Sequence, residues 1–485
     1  MFIKLVTEPF DVHDRISEGT MNKRQKKQYD PDEFLSEQFR IHTEIYSLPI
    51  KHQYMMLSSG VNQLPVPEIL MEAMQKELAE GFLYQQYTAL DGVHAVKNAV
   101  RLYENFLYSR GDMFLKADIN ICMTIGASQA AEIALAYYRS LGNKKMLLVG
   151  LTYPLYVSLG KAYGYQIDES RSALANCDMP SVEKLTKDIE RFKPDVVVFS
   201  YPCNPSGEQY TNEELDQIVK LLHENKICCI FDCVCNIIFS EKEVIVPEPY
   251  ILKHQMLEDA VIVNSFSKTE SLPGFRLGYL AGDYDLMKFA WIKQQGVMNP
   301  PNYPVVAVWI ITLFRCLFLS EKYGQNEEKR RKIVRCFKHM FFVSTVLCPQ
   351  VMRDYVKELS DSHIIDEYEK FKSEMLEQEK LFAENKEYVG QKLQPFLIRE
   401  TRLDTGFNYL IKLKPCRYIS ELDFCAELLR KTGIAVFTES GFALTKPEDN
   451  DYWVRISLAT PKKLFQEAID KLYFFLKELE SKYSS

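Results

Sequence analysis

Lys268 stands in the stretch Asn264-Ser-Phe-Ser-Lys-Thr-Glu-Ser-Leu-Pro-Gly-Phe-Arg-Leu-Gly-Tyr279, directly after the apolar run Ala260-Val-Ile-Val263. Two hydroxyls, Ser265 and Ser267, flank the turn before it, and Arg276 follows eight residues later. An amine among hydroxyls, with a guanidinium close by, suits a phosphorylated aldehyde. The amine forms a Schiff base with the carbonyl and the other groups hold the phosphate. Alone, the same residues also describe a surface loop with one lysine and one arginine. Asp232 ends the apolar run Ile227-Cys-Cys-Ile-Phe231. A carboxylate there needs a cation or a donor to offset its desolvation. Arg455, in Tyr452-Trp-Val-Arg-Ile-Ser-Leu-Ala459, could make a planar two-point pair with a carboxylate. It could equally be a salt-bridged surface residue.

The elements that must position these groups alternate as strand and helix from about residue 118, the mark of a parallel sheet. Ile119–Thr124 reads as a strand, and Gly126-Ala-Ser-Gln129 then opens a helix. Free amide N–H groups and the dipole at such a start favour an anion, but one glycine before a helix is a weak signal by itself. Lys145–Gly150 reads as a strand leading to Tyr153 and Tyr156, which could simply pack under the sheet. Pro194-Asp-Val-Val-Val-Phe-Ser200 is apolar throughout, as in a strand covered on both faces, and it delivers the turn Tyr201-Pro-Cys-Asn-Pro-Ser-Gly207. Thr211 and Glu214 have capping-box spacing, and Leu215, Ile218, Val219 and Leu222 mark the core face of the following helix. Ligands bind at the carboxyl ends of parallel strands, where Asn204, Asp232 and Lys268 all fall.

A chain of 485 residues is long enough for two domains. A net charge of −7 provides no basic field for nucleic acid, so that class is set aside. The twelve cysteines follow no metal-ligand spacing, and they read as free thiols of a reducing cytoplasm. The start, Met1-Phe-Ile-Lys-Leu-Val6, soon becomes charged and does not read as a secretory signal. Lys23-Arg-Gln-Lys-Lys27 reads as a solvated basic arm. The most apolar run, Val305 to Leu319, is interrupted by Arg315 and is too short to span a bilayer, so a buried helix is expected.

S-x-S-K followed by P-G-x-R-x-G resembles the cofactor-lysine signature of class I/II aminotransferases, fold-type I enzymes that use pyridoxal 5′-phosphate. Intervals of 28 residues from Asn204 to Asp232, 36 to Lys268 and eight to Arg276 look like those of the aspartate aminotransferase type. The resemblance spans about residues 55–310 and 395–470. It implies an α/β fold: a large domain with a mostly parallel, seven-stranded-type sheet flanked by helices, plus a smaller α+β domain built from N- and C-terminal parts. The expected division is an arm over 1–55, a cofactor-binding domain over 56–310, linker helices with an insertion over 311–394, and the small domain over 395–485.

The resemblance also implies roles. Lys268 carries the cofactor as a Schiff base, and Asp232 keeps the pyridine nitrogen protonated. Asn204 donates to the phenolic oxygen, and Tyr153 stacks on the ring. Ala127, Ser128, Gln129, Ser265, Ser267 and Arg276 surround the phosphate. Tyr87, five residues before Gly92, reaches the phosphate of the neighbouring subunit, which makes the enzyme a homodimer with shared sites. Arg455, Asn204 and Gly60 take the substrate carboxylate. No metal or membrane is implied. One position departs: the family reads D-x-x-Y, whereas Cys235 stands fourth here. A thiol is a weaker donor, which implies a less acidified Schiff base or another group filling the gap.

The expected activity is transfer of an amino group from an amino acid to a 2-oxo acid. The alternative is diverted quinonoid chemistry (decarboxylase, lyase, cyclase or oxidase), and a non-catalytic binding protein is the third reading. The polar helical stretch 320–390 is longer than the family's linker and could be a lid, a dimer contact or a spacer.

Overall fold

The structure is a computed structural model that describes residues 29–44, 54–58, 60–85, 87–112, 119–172, 179–296, 299–345, 348–446 and 451–483. The N-terminal residues and the basic cluster Lys23–Lys27 lie outside the described residues. A seven-stranded sheet forms the centre, in the spatial order Asn120–Ile125, Leu277–Gly282, Ala260–Ser265, Cys228–Asp232, Val196–Ser200, Lys145–Val149 and Gln166–Ser170. All pairs are parallel except those made by Leu277–Gly282, which is antiparallel to both of its neighbours. The mostly parallel α/β sheet expected from strand–helix alternation is therefore present.

Its middle strands are covered on both faces, so Val196–Ser200 and Ala260–Ser265 are buried along their whole lengths. The crossover helix Asn212–Glu224 starts at a true capping box, with Thr211 and Glu214 satisfying each other's backbone N–H groups. It buries Leu215, Ile218, Val219 and Leu222, the face read from the sequence.

A second, antiparallel sheet contains Phe437–Thr438, Trp453–Ser457, Asn408–Leu413 and Leu397–Glu400 in that order. The helices Glu421–Thr432 and Lys462–Tyr483 cover it, the first opened by the Ser420 side chain and closed by left-handed Gly433. N-terminal chain joins this part. The helix Pro31–Thr43 buries Phe34, Gln38 and Ile41, and Gln38 Nε2 donates to Thr438 Oγ1 at 2.6 Å. Met55–Met56 pairs in parallel with Ile434–Ala435.

The apolar run is one buried helix, Val305–Lys322, so it passes through the boundary expected at residue 310. Arg315, which seemed to interrupt it, is buried and grips both carboxylate oxygens of Glu270 at 2.6–2.9 Å. Its guanidinium also lies 5.3 Å from the Tyr103 ring and 5.1 Å from the Phe266 ring. Glu270 is two residues beyond Lys268, so this pair braces the lysine loop from beneath. Arg315→Met should strand a buried carboxylate and lower stability by about 3 kcal/mol, read as an earlier denaturation midpoint.

The stretch 320–390 becomes three helices, Glu327–Ser344, Gln350–Glu358 and the 33-residue Asp361–Leu393. The last one buries Ile364, Tyr368, Phe371 and Met375 in the core of the large sheet, then Phe382, Val389 and Leu393 in the core of the small one. Among the described residues, no helix is long and apolar enough to cross a membrane.

Candidate active site

Strand register assembles the site. Ser200 pairs with Asp232, and Asp232 with Val263, so three neighbouring strands end together and release Asn204, Asp232 and Lys268 at one edge. On the far side of Ala260–Ser265, Ser265 pairs with Gly278, and Ile125 pairs with Leu277. Arg276 thereby lies against the start of the helix Gly126–Ser140, and Gly126 N–H donates to its carbonyl at 2.7 Å. A Cβ on Gly278 would fall 2.2 Å from the Gly126 carbonyl carbon, and one on Gly126 would fall 2.6 Å from Arg276 Nη2. Glycine is required at both places for the arginine and the helix start to meet. No side chain caps this helix, which leaves its first amides, including those of Ala127, Ser128 and Gln129, for an anion. Ser265 and Ser267 are buried, and the Ser267 amide donates to Ser265 Oγ at 3.3 Å.

Asp232 is buried. Its carboxylate accepts from Tyr156 Oη at 3.1 Å and from the Val234 amide at 3.2 Å. These donors do not offset the loss of water, and burial pushes the carboxyl up to about 6. Such a group calls for a cation. Lys268 is pulled below the usual lysine range, first by burial and then by Arg455 and Arg276, with Cys235 and Asp232 opposing. A buried amine that sheds its proton readily is a better nucleophile and base.

Arg455 is buried beside two rings, Phe442 at 4.8 Å and Phe437 at 5.4 Å. Its Nη1 donates to Asn204 Oδ1 at 3.2 Å, and its Nη2 donates to the Ser58 carbonyl. Nε, sealed from solvent, has no acceptor among the described residues. Gly60 adjoins this cluster, since a Cβ there would lie 3.2 Å from Asn408 Oδ1 and 3.8 Å from Arg455 Nη1. Burial pulls the Arg455 guanidinium down to about 10, so it remains a cation at neutral pH. Tyr153 is partly exposed above the strand ends, within the electrostatic reach of Asp232, Arg455, Cys235 and Arg276. Tyr87 is almost wholly exposed and touches none of these groups within one chain.

Two contributors escape a sequence reading. Tyr156, the donor to Asp232, lies in the helix Leu155–Ala162, three residues after Tyr153, which precedes that helix; a second phenol so close to the first could have singled it out. Asn408 lies in the apolar strand Asn408–Leu413, and a lone carboxamide in such a run is a faint signal. Among the described residues, no cluster of three or more His, Cys, Asp or Glu side chains could hold a metal, and the described cysteines are free.

The family model for aminotransferase class I and II matches residues 52–472. The chain belongs to this family. Among curated relatives, a probable aspartate aminotransferase from Methanocaldococcus jannaschii is 26% identical over 238 residues, covering 48% of this chain and 58% of the relative. An aspartate aminotransferase from Bacillus subtilis is 26% identical over 246 residues, covering 49% and 58%. The chain thus matches little more than half the length of these relatives. Among solved structures, the Thermotoga maritima aspartate aminotransferase superposes with a TM-score of 0.62 at 18% identity, covering 96% of this chain and all of that one. An Escherichia coli protein with a methionine aminotransferase function superposes at 0.63 with 15% identity, covering 94% and 99%. These structures share the fold. The cofactor of the family is pyridoxal 5′-phosphate, and the residues present fit it. The helix start beside Arg276 suits its phosphate, Asp232 suits a pyridinium, and the buried Lys268 suits its aldehyde.

Proposed function

We propose that this chain is a pyridoxal 5′-phosphate-dependent aminotransferase, moving an amino group from an amino acid to a 2-oxo acid. The observation that carries this reading is the shared edge of three strands, where buried Asp232 and half-buried Lys268 lie within electrostatic reach of a buried Arg455. When bound, the cofactor accepts the electron pair released at the substrate Cα and carries the amino group between substrates. Asp232 holds the proton on the pyridine nitrogen, and Tyr156 fixes the carboxylate that does so. Ala127, Ser128, Gln129, Ser265, Ser267 and Arg276 hold the phosphate. Tyr153 packs over the ring, and Asn204 donates to its oxygen. Lys268 Nζ takes the proton from the substrate Cα and returns it on the other side of the transfer. Arg455, with Asn204 and Gly60, grips the substrate carboxylate and so fixes the bonds about Cα.

The same reading makes the chain a cytoplasmic homodimer. Exposed Tyr87 supports the dimer, because a phenol left to solvent within one chain is available for a phosphate in the neighbouring subunit. In this reading the large sheet carries the cofactor, and the 395–485 part closes the substrate side. The relatives' names suggest amino acids such as aspartate, LL-diaminopimelate or methionine as donors.

Cys235 favours a second reading, diverted chemistry at the same carbon, because a thiol at this place is a poor donor. One experiment separates the two. The cofactor-loaded protein is mixed with single amino acids and no oxo acid, under nitrogen and then air. One equivalent of 2-oxo acid per site, with the amino group retained on the protein, supports transfer. Release of CO₂ or consumption of O₂ overturns it. Arg455→Lys replaces a two-point grip by a point charge, so KM for the amino acid should rise about tenfold to a hundredfold while kcat changes less. Initial-rate kinetics check this.

A further inference from the structure

We infer that Asn408 is a positioning residue of this site: it holds the Asn204 carboxamide in the orientation that leaves the Asn204 amide nitrogen for the cofactor. The two ends of a carboxamide have nearly the same shape, so its partners decide which end faces where. Asn204 Oδ1 accepts from two donors, Arg455 Nη1 at 3.2 Å and Asn408 Nδ2 at 3.2 Å. A guanidinium has no acceptor, so the oxygen of Asn204 must face Arg455. Asn408 then supplies the second N–H to that same oxygen, and a flipped Asn204 would set N–H against N–H at Arg455 and lose this bond as well. Asn204 Nδ2 is therefore turned away from the pair, and no described residue accepts from it.

Asn408 is itself fixed. It is buried in a strand whose Leu410 pairs with Arg455, so Asn408 and Leu410 share the face of the sheet that carries this arginine. Its Nδ2 also lies 3.9 Å from Cys235 Sγ, the position where a better donor would be expected. Its Oδ1 is sealed from solvent without a donor among the described residues, and it abuts Gly60 so closely that any larger residue at 60 would press on it. A side chain kept only for packing would have no need of a carboxamide, because an apolar side chain fills space without leaving a buried oxygen unpaired. Asn408 thus joins Arg455 in setting, from the small sheet, the donor geometry of Asn204 in the large one.

The inference rests on the proposed reading of Lys268 and its cofactor, and the test keeps the two apart. The probe is pyridoxal 5′-phosphate bound to the full-length protein, and the readout is the pH midpoint of its Lys268-dependent absorbance band. A fixed donor on the ring oxygen stabilises the anionic form, so losing that donor raises the midpoint. Asn408→Ala should raise it by about one pH unit, a tenfold change in proton affinity, and Asn204→Ala should raise it at least as far. The double variant should match Asn204→Ala alone, because Asn408 acts through Asn204. Asn408→Leu, which refills the space, should repeat the shift, and it stands in if the alanine variant does not fold. An unchanged midpoint in a folded Asn408 variant overturns the inference alone, as does full additivity in the double variant. A wild-type protein without any Lys268-dependent band overturns both readings.

Discussion

Lys268→Ala should lower amino-acid turnover by about three to four orders of magnitude, the scale set by losing a positioned acid–base group. The absorbance band of the lysine-bound cofactor should vanish with it. The substitution takes away one amine and little else, since no ion pair of the described residues uses Lys268 and burial already disfavours its charge. The variant should therefore fold at least as stably as the wild type, so the loss of rate can be assigned to chemistry. Ser265, Ser267, Arg276 and the start of the helix Gly126–Ser140 remain, and the cofactor should still bind without a covalent link. Initial-rate assays, absorbance spectra and thermal denaturation together check this result. Turnover equal to the wild type would remove Lys268 from the mechanism and favour a binding protein.

Asp232→Asn should separate function from stability. The carboxyl of the cofactor-free protein is pushed up to about 6 by burial, against an ordinary value of 3.8. Folding therefore favours its protonated form. The native state loses stability as pH rises from about 4 to about 6, and above that the cost is constant at about 3 kcal/mol. Asparagine has nearly the same shape and no charge, and the Tyr156 hydroxyl can turn to accept from its amide. The cofactor-free variant should thus be more stable at pH 7 by up to about 3 kcal/mol, with the difference fading below pH 4. Activity should move the other way, falling about a hundredfold to a thousandfold, because a neutral amide does not hold a pyridinium proton. Denaturant titrations at pH 4, 5 and 7, paired with turnover, test both halves. A wild type as stable as the variant at pH 7 would mean that Asp232 is solvated or paired before the cofactor arrives.

Much of the site was legible because it lies where apolar runs end. Asn204, Asp232 and Lys268 each follow a strand whose sequence is continuous and apolar, and their register in the sheet turns three separate stops into one edge. The capping box at Thr211 and the glycine closing Glu421–Thr432 were also local signals, each complete within a few residues. Pairings across long separations left no such trace. Arg315 looked like a flaw in an apolar helix until Glu270, 45 residues earlier, proved to be its partner. Asn408 meets Asn204 across 204 residues, and neither residue's neighbourhood announces the other. The helix Pro31–Thr43 has few apolar residues, and it settles on the C-terminal part through contacts such as Gln38 to Thr438, which no periodicity encodes. The stretch 320–390 was read as helical, but its division into three helices depends on which core each one reaches.

The 33-residue helix Asp361–Leu393 has a mechanical consequence. At 1.5 Å per residue it is a rod about 50 Å long. One end is embedded in the core of the large sheet and the other in the core of the small one. It contains no proline, and its only glycine, Gly390, lies near its far end. Such a rod does not fold at its middle without breaking its own hydrogen bonds. It therefore ties the two cores rigidly, from its seat between Ile364 and Met375 in one to Phe382, Val389 and Leu393 in the other. Packing around Tyr368 and Phe371 thereby helps set where the small sheet, with Arg455 and Asn408, stands against the strand ends that carry Asn204 and Asp232.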